Sequence, residues 1–227
     1  MTDTEHSAAL VKLIEYTKSN PMTLASGSPR RQELLAKMGL TFRVVKPMLD
    51  ESVVKAVGPR ALVKRLSLLK AREVQRRLTD IRANAEHGPG LILAADTVVY
   101  LGGRVLGKPK DEAEARAMLR RLSGRTHQVY TGVTLLHGAY AHTLCARTAV
   151  RFNKLSARRI AKYVASGEPM DKAGAYGIQG DGRALVRSIR GSFENVMGLP
   201  VEALTSRLVE WINTQPPCGA SRPIKDD

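Results

Sequence analysis

The chain has 227 residues, 43% of them hydrophobic, which allows a buried core and excludes global disorder. No apolar run reaches the roughly 20 residues of a membrane span, the N-terminus lacks a signal-peptide apolar region, and two distant cysteines, Cys145 and Cys218, exclude a disulfide framework or a CxxC metal site, so a cytoplasmic protein is expected. The net charge of +15 calls for a polyanionic ligand, but aromatics at 4% and basic residues scattered along the chain favour a nucleotide over nucleic acid.

Thr4 to Ser19 reads as an amphipathic helix with Leu10, Leu13 and Ile14 on one face, ended by Pro21. Met22 to Ala25 reads as a strand. Ser26, Gly27 and Ser28 make a small-residue turn, and a helix follows with Ser28 as N-cap and Pro29 at its first position. Arg30 and Arg31 sit in the first turn of that helix, where they oppose the helix dipole. A bound phosphate chain explains them; a solvated basic helix start is the alternative.

Thr41 to Lys46 is a second predicted strand, and Met48 to Ser52 a loop carrying Asp50 and Glu51. A long helix is expected from Pro59 to about Glu86, with Leu62, Leu66, Leu69, Val74, Leu78 and Ile81 near helical spacing. Lys70 shares the apolar face of Leu66 and Val74, so it either meets an acid or phosphate or snorkels to water. His87 to Gly90 breaks the helix.

Leu91 to Leu101 is strongly strand-like, with Gly102-Gly103 as a hairpin turn and Arg104 to Leu106 as the return. Asp96 and Thr97 interrupt that apolar strand. A carboxylate there is costly unless paired or metal-bound; it reads as a general base or Mg²⁺ ligand, or else as an Asp satisfying nearby backbone at a bend. Lys108, between Gly107 and Pro109, sits on a constrained loop that can reach phosphates, although no GxxxxGK[ST] loop occurs.

Asp111 to Leu122 is a helix with acids in its first turn, and His127 to His137 pairs with His142 to Phe152 around Gly138. Ser156 caps a helix to about Ala165. Glycine-rich loops run from Gly167 to Gly182; there Gln179 offers a donor and an acceptor suited to a base edge, or belongs to a flexible surface loop. Ala184 to Ile189 is a strand and Val201 to Asn213 a closing helix. The histidines lack metal-ligand spacing and read as structural or exposed. Crossover helices together with hairpins predict an α/β fold with a mixed sheet. Residues 1–20 are a helical extension, 21–213 a catalytic domain and 214–227 a tail expected to be disordered.

The strings LASGSPRRQELL, Asp50-Glu51, the Lys70 helix, LAADTVV, GKPKD, LSGRTHQVYTGV, SGEPMDKAGAYGIQG and IRGSFENVMGLP, in this order, resemble the Maf family of nucleoside triphosphate pyrophosphatases from Met22 to Asn213. The resemblance implies an elongated, two-lobed mixed sheet flanked by helices with a central cleft, similar to the inosine triphosphatase fold. It implies hydrolysis of a nucleoside triphosphate to the monophosphate and pyrophosphate with a divalent metal, Mg²⁺ first and Mn²⁺ or Co²⁺ as alternatives. Ser26, Arg30 and Arg31 match the family's phosphate turn, and Glu51, Lys70 and Lys108 its charged cleft. Asp96 matches its proton acceptor, with Glu51 and Asp96 as metal ligands. Arg30, Thr97 and Gln179 match positions tied to substrate choice, in the pattern of the subfamily acting on dTTP and UTP. A homodimer is implied. The alternatives are a house-cleaning pyrophosphatase for another nucleotide, or a nucleic-acid-binding or septum-regulating protein without turnover.

Overall fold

A computed structural model describes residues 3–54, 56–81 and 90–214. One seven-stranded mixed sheet forms its centre, with the strand order β2-β1-β3-β5-β6-β7 and β4 paired to β3. The strands are β1 (Met22–Ala25), β2 (Phe42–Val44), β3 (Ile92–Leu101), β4 (Arg104–Leu106), β5 (Thr126–His137), β6 (Tyr140–Phe152) and β7 (Val186–Arg190). The helices are α1 (Asp3–Ser19), α2 (Pro29–Lys37), α3 (Gly58–Ile81), α4 (Glu112–Leu122), α5 (Ala157–Ala165), α6 (Phe193–Met197) and α7 (Val201–Asn213). The expected mixed sheet flanked by helices is present.

β1 runs parallel to β2 and β3, whereas β3, β5, β6 and β7 form an antiparallel meander. Alternation along β3 divides its side chains between two layers. Ile92 and Ala94 pack with Ala71 and Val74 of α3, and Leu93, Ala95 and Val99 join the larger core with α2, α4, α5 and α7. α1 lies on α7, where Tyr16 meets Trp211 edge to face at 5.4 Å and Lys12 Nζ donates to the Ile212 carbonyl at 3.2 Å.

Several bounds differ from the sequence expectation. β2 keeps three residues, because only Phe42 to Val44 pair with β1. β7 starts at Val186, since Ala184 and Leu185 belong to a 3₁₀ turn. α6 was not expected; its five residues are too few to show a helical period, and Ser192 caps it by accepting from the Asn195 amide. α3 is described to Ile81, and its predicted continuation to Glu86 lies outside the described residues, as does the tail beyond Thr214. No helix among the described residues is long and apolar enough to cross a membrane.

Candidate active site

The site lies where the sheet changes pairing. β3 pairs with β1 only as far as Ala94, and with β4 only from Val99. Between these ladders, Asp96, Thr97 and Val98 occupy an edge of β3 that faces neither strand. Ligands in open α/β sheets gather where connections diverge from a strand end in this way. The Ser26–Ser28 turn leaves β1 at the same place and delivers α2.

Asp96 points to the α3 side and is 5% exposed. Its Oδ1 accepts from Lys70 Nζ at 2.7 Å, and Lys70 Nζ also lies 2.8 Å from Glu51 Oε1. The lysine on the core face of α3 has thus found acids. Asp96 Oδ2 is buried without a hydrogen-bond partner among the described residues. A buried carboxylate oxygen left unpaired is costly, and it marks a position for water, metal or substrate. Glu51 is held out to Lys70 by a 3₁₀ turn that Asp50 caps, its Oδ1 accepting from the Ser52 amide at 2.9 Å. Those bonds from Ser52 hold the Asp50 carboxyl below its ordinary range.

Gly132 makes this approach possible. It stands opposite Asp96 in the β3–β5 ladder. A Cβ placed on it would lie 2.3 Å from the Val63 carbonyl oxygen. The backbone of α3 therefore rests directly on β5 beside Asp96.

Thr97 points to the opposite layer, where Arg31 binds it. Arg31 Nη2 donates to Thr97 Oγ1 at 3.0 Å, Nη1 to Ser26 Oγ at 2.9 Å and Nε to the Gly198 carbonyl at 2.8 Å. Three of the five guanidinium donors are thus committed to protein. Burial lowers the Arg31 pKa, with Asp96 and Glu51 opposing and Arg30 adding to the shift. Thr131 Oγ1 donates to the Asn195 carbonyl at 2.9 Å, so its 3.0 Å bond with Thr97 takes the Thr97 hydroxyl as donor. Ser28 sits at the N-cap of α2 but makes no side-chain cap bond, contrary to expectation; its own amide turns to Ser26 Oγ at 3.3 Å.

Arg30 is half-buried and reaches towards Asp171 Oδ2 at 4.0 Å, which places the Ser26–Ser28 turn beside the glycine-rich loop. Burial opposes ionisation of Asp171, but its bond from Lys172 and the charges of Lys172 and Arg30 outweigh this and lower its pKa. Gln179 is half-buried in that loop. Lys108 is exposed, and its loop meets the same segment, the Gly174 amide donating to the Gly107 carbonyl at 2.9 Å.

Two contributors escaped the sequence reading. Glu168 organises the Gln179 loop: its carboxylate accepts from Tyr163 Oη at 2.9 Å and from the amides of Asp181 at 3.1 Å and Gly182 at 3.4 Å. Gly180 has φ of +60°, and a Cβ there would come within 3.0 Å of that carboxylate. Lys46 lies over the Ser26–Ser28 turn, its stem 3.1 Å from where a Gly27 Cβ would be. The glycines were the only available signal, and they do not name their neighbours. His127, expected to be structural or exposed, is buried; its Nε2 lies 2.8 Å from Tyr176 Oη.

Comparison with known proteins gives this chain its relatives. Residues 21–211 match the family model described as Maf-like protein. A dTTP/UTP pyrophosphatase of Symbiobacterium thermophilum is 50% identical over 191 residues, covering 84% of this chain and 93% of the relative. One of Moorella thermoacetica is 50% identical over 182 residues, covering 79% and 89%. Another, of Clostridium perfringens, is 48% identical over 192 residues, covering 83% and 95%. With the matched residues spanning the Ser26–Ser28 turn, Asp96 and the glycine-rich loop, this chain belongs to the Maf-like protein family.

Proposed function

We propose that the protein hydrolyses dTTP and UTP to the monophosphate and pyrophosphate. The observation that carries the reading is Asp96, buried beside the phosphate turn with Oδ1 on Lys70 and Oδ2 unpartnered. The names of the relatives, near 50% identity, supply the substrates.

Ser26, the α2 amides and Arg30 receive the phosphate chain, with Lys108 entering from the facing loop. Arg31 holds Ser26 and Thr97 in place and keeps donors for a phosphate oxygen. Water adds to the α-phosphorus, the bond to the bridging oxygen breaks, and pyrophosphate leaves. Asp96 Oδ2 accepts the water's proton, while Lys70 holds Oδ1 and fixes the plane of the carboxylate. Cationic groups aimed at the phosphates supply the larger catalytic contribution, because charge accumulates on the leaving group. Gln179 and Thr97 select the base and the position of the nucleoside.

A divalent cation fits the same residues. Among the described residues no three His, Cys, Asp or Glu side chains converge as a protein-only cage. Mg²⁺ is commonly held by one or two carboxylates plus phosphate oxygens, and Glu51, with the Asp96 carboxylate beside it across Lys70, meets that requirement. Bound there, Mg²⁺, or Mn²⁺ or Co²⁺ in its place, would neutralise phosphate charge. A homodimer working in the cytoplasm completes the reading, on the strength of the family resemblance.

The test is pyrophosphate release with Mg²⁺ from dTTP, UTP, CTP, GTP, ATP and 7-methyl-GTP, alongside Asp96→Asn. Turnover of dTTP and UTP is expected, falling at least ~100-fold in the folded variant. Turnover confined to another nucleotide overturns the base assignment, and wild-type rates in Asp96→Asn remove Asp96 from the chemistry.

A further inference from the structure

The basic surplus is scattered in sequence but not in space. α3 runs along β5 from Gly132, beneath Val63, to Gly138, whose carbonyl accepts from Gln75. The part of the sheet before Gly132 extends past the start of that helix. Ladder partners share a face, so the register identifies what this face presents. Beside the Asp96, Gly132 and Cys145 row comes Val98, Tyr130 and Arg147. The next rows are Tyr100, Gln128, Ala149 and Arg190, then Thr126, Arg151 and Ser188. Arg147, Arg151, Arg190, Thr126 and Ser188 are exposed.

The first turns of α3 add to this patch. Arg60 and Lys64 are exposed, and both act electrostatically on Cys145, which precedes Arg147 on the same face of β6. Arg60, Lys64, Arg147, Arg151 and Arg190 thus border one surface, and no ion pair to a carboxylate is found for any of them among the described residues. Tyr100 and Tyr130 meet edge to face at 6.3 Å within it, and both are half-buried. Gln128 Oε1 beside them has no hydrogen-bond partner among the described residues.

We propose that this face binds single-stranded nucleic acid, its phosphates tracking Arg60, Lys64, Arg147, Arg151 and Arg190 and its bases lying over Tyr100 and Tyr130. A basic groove beside aromatic rings is the general design of such sites. Charge argues against a second copy of the chain as occupant, since identical arginine-rich faces repel. Thr97, Arg31 and the Gln179 loop lie in the other layer, whereas Asp96 shares this face but turns to Lys70 of α3, so the arginines stand apart from the groups that receive the nucleotide's phosphates.

The experiment measures fluorescence anisotropy of a labelled 20-nucleotide oligodeoxyadenylate, without terminal phosphate, on the full chain at 50 and 200 mM salt. The triple variant Arg147→Glu, Arg151→Glu, Arg190→Glu is compared with Arg72→Glu, Arg120→Glu, Arg121→Glu, an equal charge change elsewhere. Binding is expected to weaken at least tenfold in the first variant, with the slope of log affinity against log salt shallower by about 2. It should weaken far less in the second, and α,β-imido-dTTP should not displace the oligonucleotide. Absence of binding by the unaltered chain, equal loss in both variants, or displacement by the nucleotide analogue overturns the proposal. So does unchanged binding in the first variant, including the case where light scattering shows that it disrupts a dimer. Release of pyrophosphate from dTTP, measured on the same samples, reports separately on the nucleotide site.

Discussion

Gly132 stands directly across from Asp96, and the Val63 carbonyl occupies the space any side chain on Gly132 would need. The obstacle is backbone on both sides, so no rotamer relieves it. Gly132→Ala must lift the start of α3 from β5 and draw Lys70 away from Asp96. Overpacking of this kind costs about 1–3 kcal/mol. Urea denaturation should show that loss, with dTTP turnover falling by more than the folded fraction explains. Unchanged stability and turnover would mean that α3 does not set the Lys70–Asp96 distance.

The two adjacent arginines should separate experimentally. Arg31→Ala removes bonds to Gly198, Ser26 and Thr97 and should cost about 1–3 kcal/mol in chemical denaturation. Arg31→Lys should not restore it, because one ammonium cannot reproduce the guanidinium's directions. Arg30→Ala loses only a 4.0 Å approach to an exposed carboxylate. Its stability should stay within about 0.5 kcal/mol, while KM for dTTP rises about tenfold. Equal behaviour of the two variants would contradict this division.

What was legible in the sequence is what burial makes anomalous. Asp96 in an apolar strand and Lys70 on an apolar helix face each stood out as candidates for a partner, and each proved to be the other's. The Ser26–Ser28 turn was legible because strand, small residues and Pro29 share one local grammar. Gly132 was not, since its constraint comes from the backbone of a helix distant in sequence. Arg30 and Arg31 are chemically identical, and partners brought in by the fold, Thr97 and Gly198 far along the chain above all, tell them apart. α6 was too short for its periodicity to register, yet its middle residue and its C-cap supply the Asn195 and Gly198 carbonyls that hold Thr131 and Arg31. The basic face arises from strand register, which composition does not encode.

Gln179→Glu should narrow the preference for dTTP over CTP. A carboxylate repels the O4 carbonyl of thymine or uracil and accepts from the amino group of cytosine. The loop should keep its shape, because its bonds run to Glu168 and not to Gln179. The ratio of kcat/KM for dTTP over CTP is expected to fall about 10–100-fold with the thermal midpoint unchanged. An unaltered ratio would remove Gln179 from base selection.

His127 should make stability sensitive to acid. Burial lowers its pKa from 6.5 to about 4, and its Nδ1 has no hydrogen-bond partner among the described residues to stabilise a second proton. Between those values the unfolded chain binds a proton that the folded chain refuses, so stability falls as pH drops from 6.5 towards 4. The full loss is about 3 kcal/mol, and none of it is felt above pH 7. The informative quantity is the difference from His127→Gln, which stays neutral throughout. Thermal midpoints from pH 7.5 to 4.5 should fall more steeply for the unaltered chain than for the variant. Parallel curves would show that His127 takes up its proton in the folded state without cost.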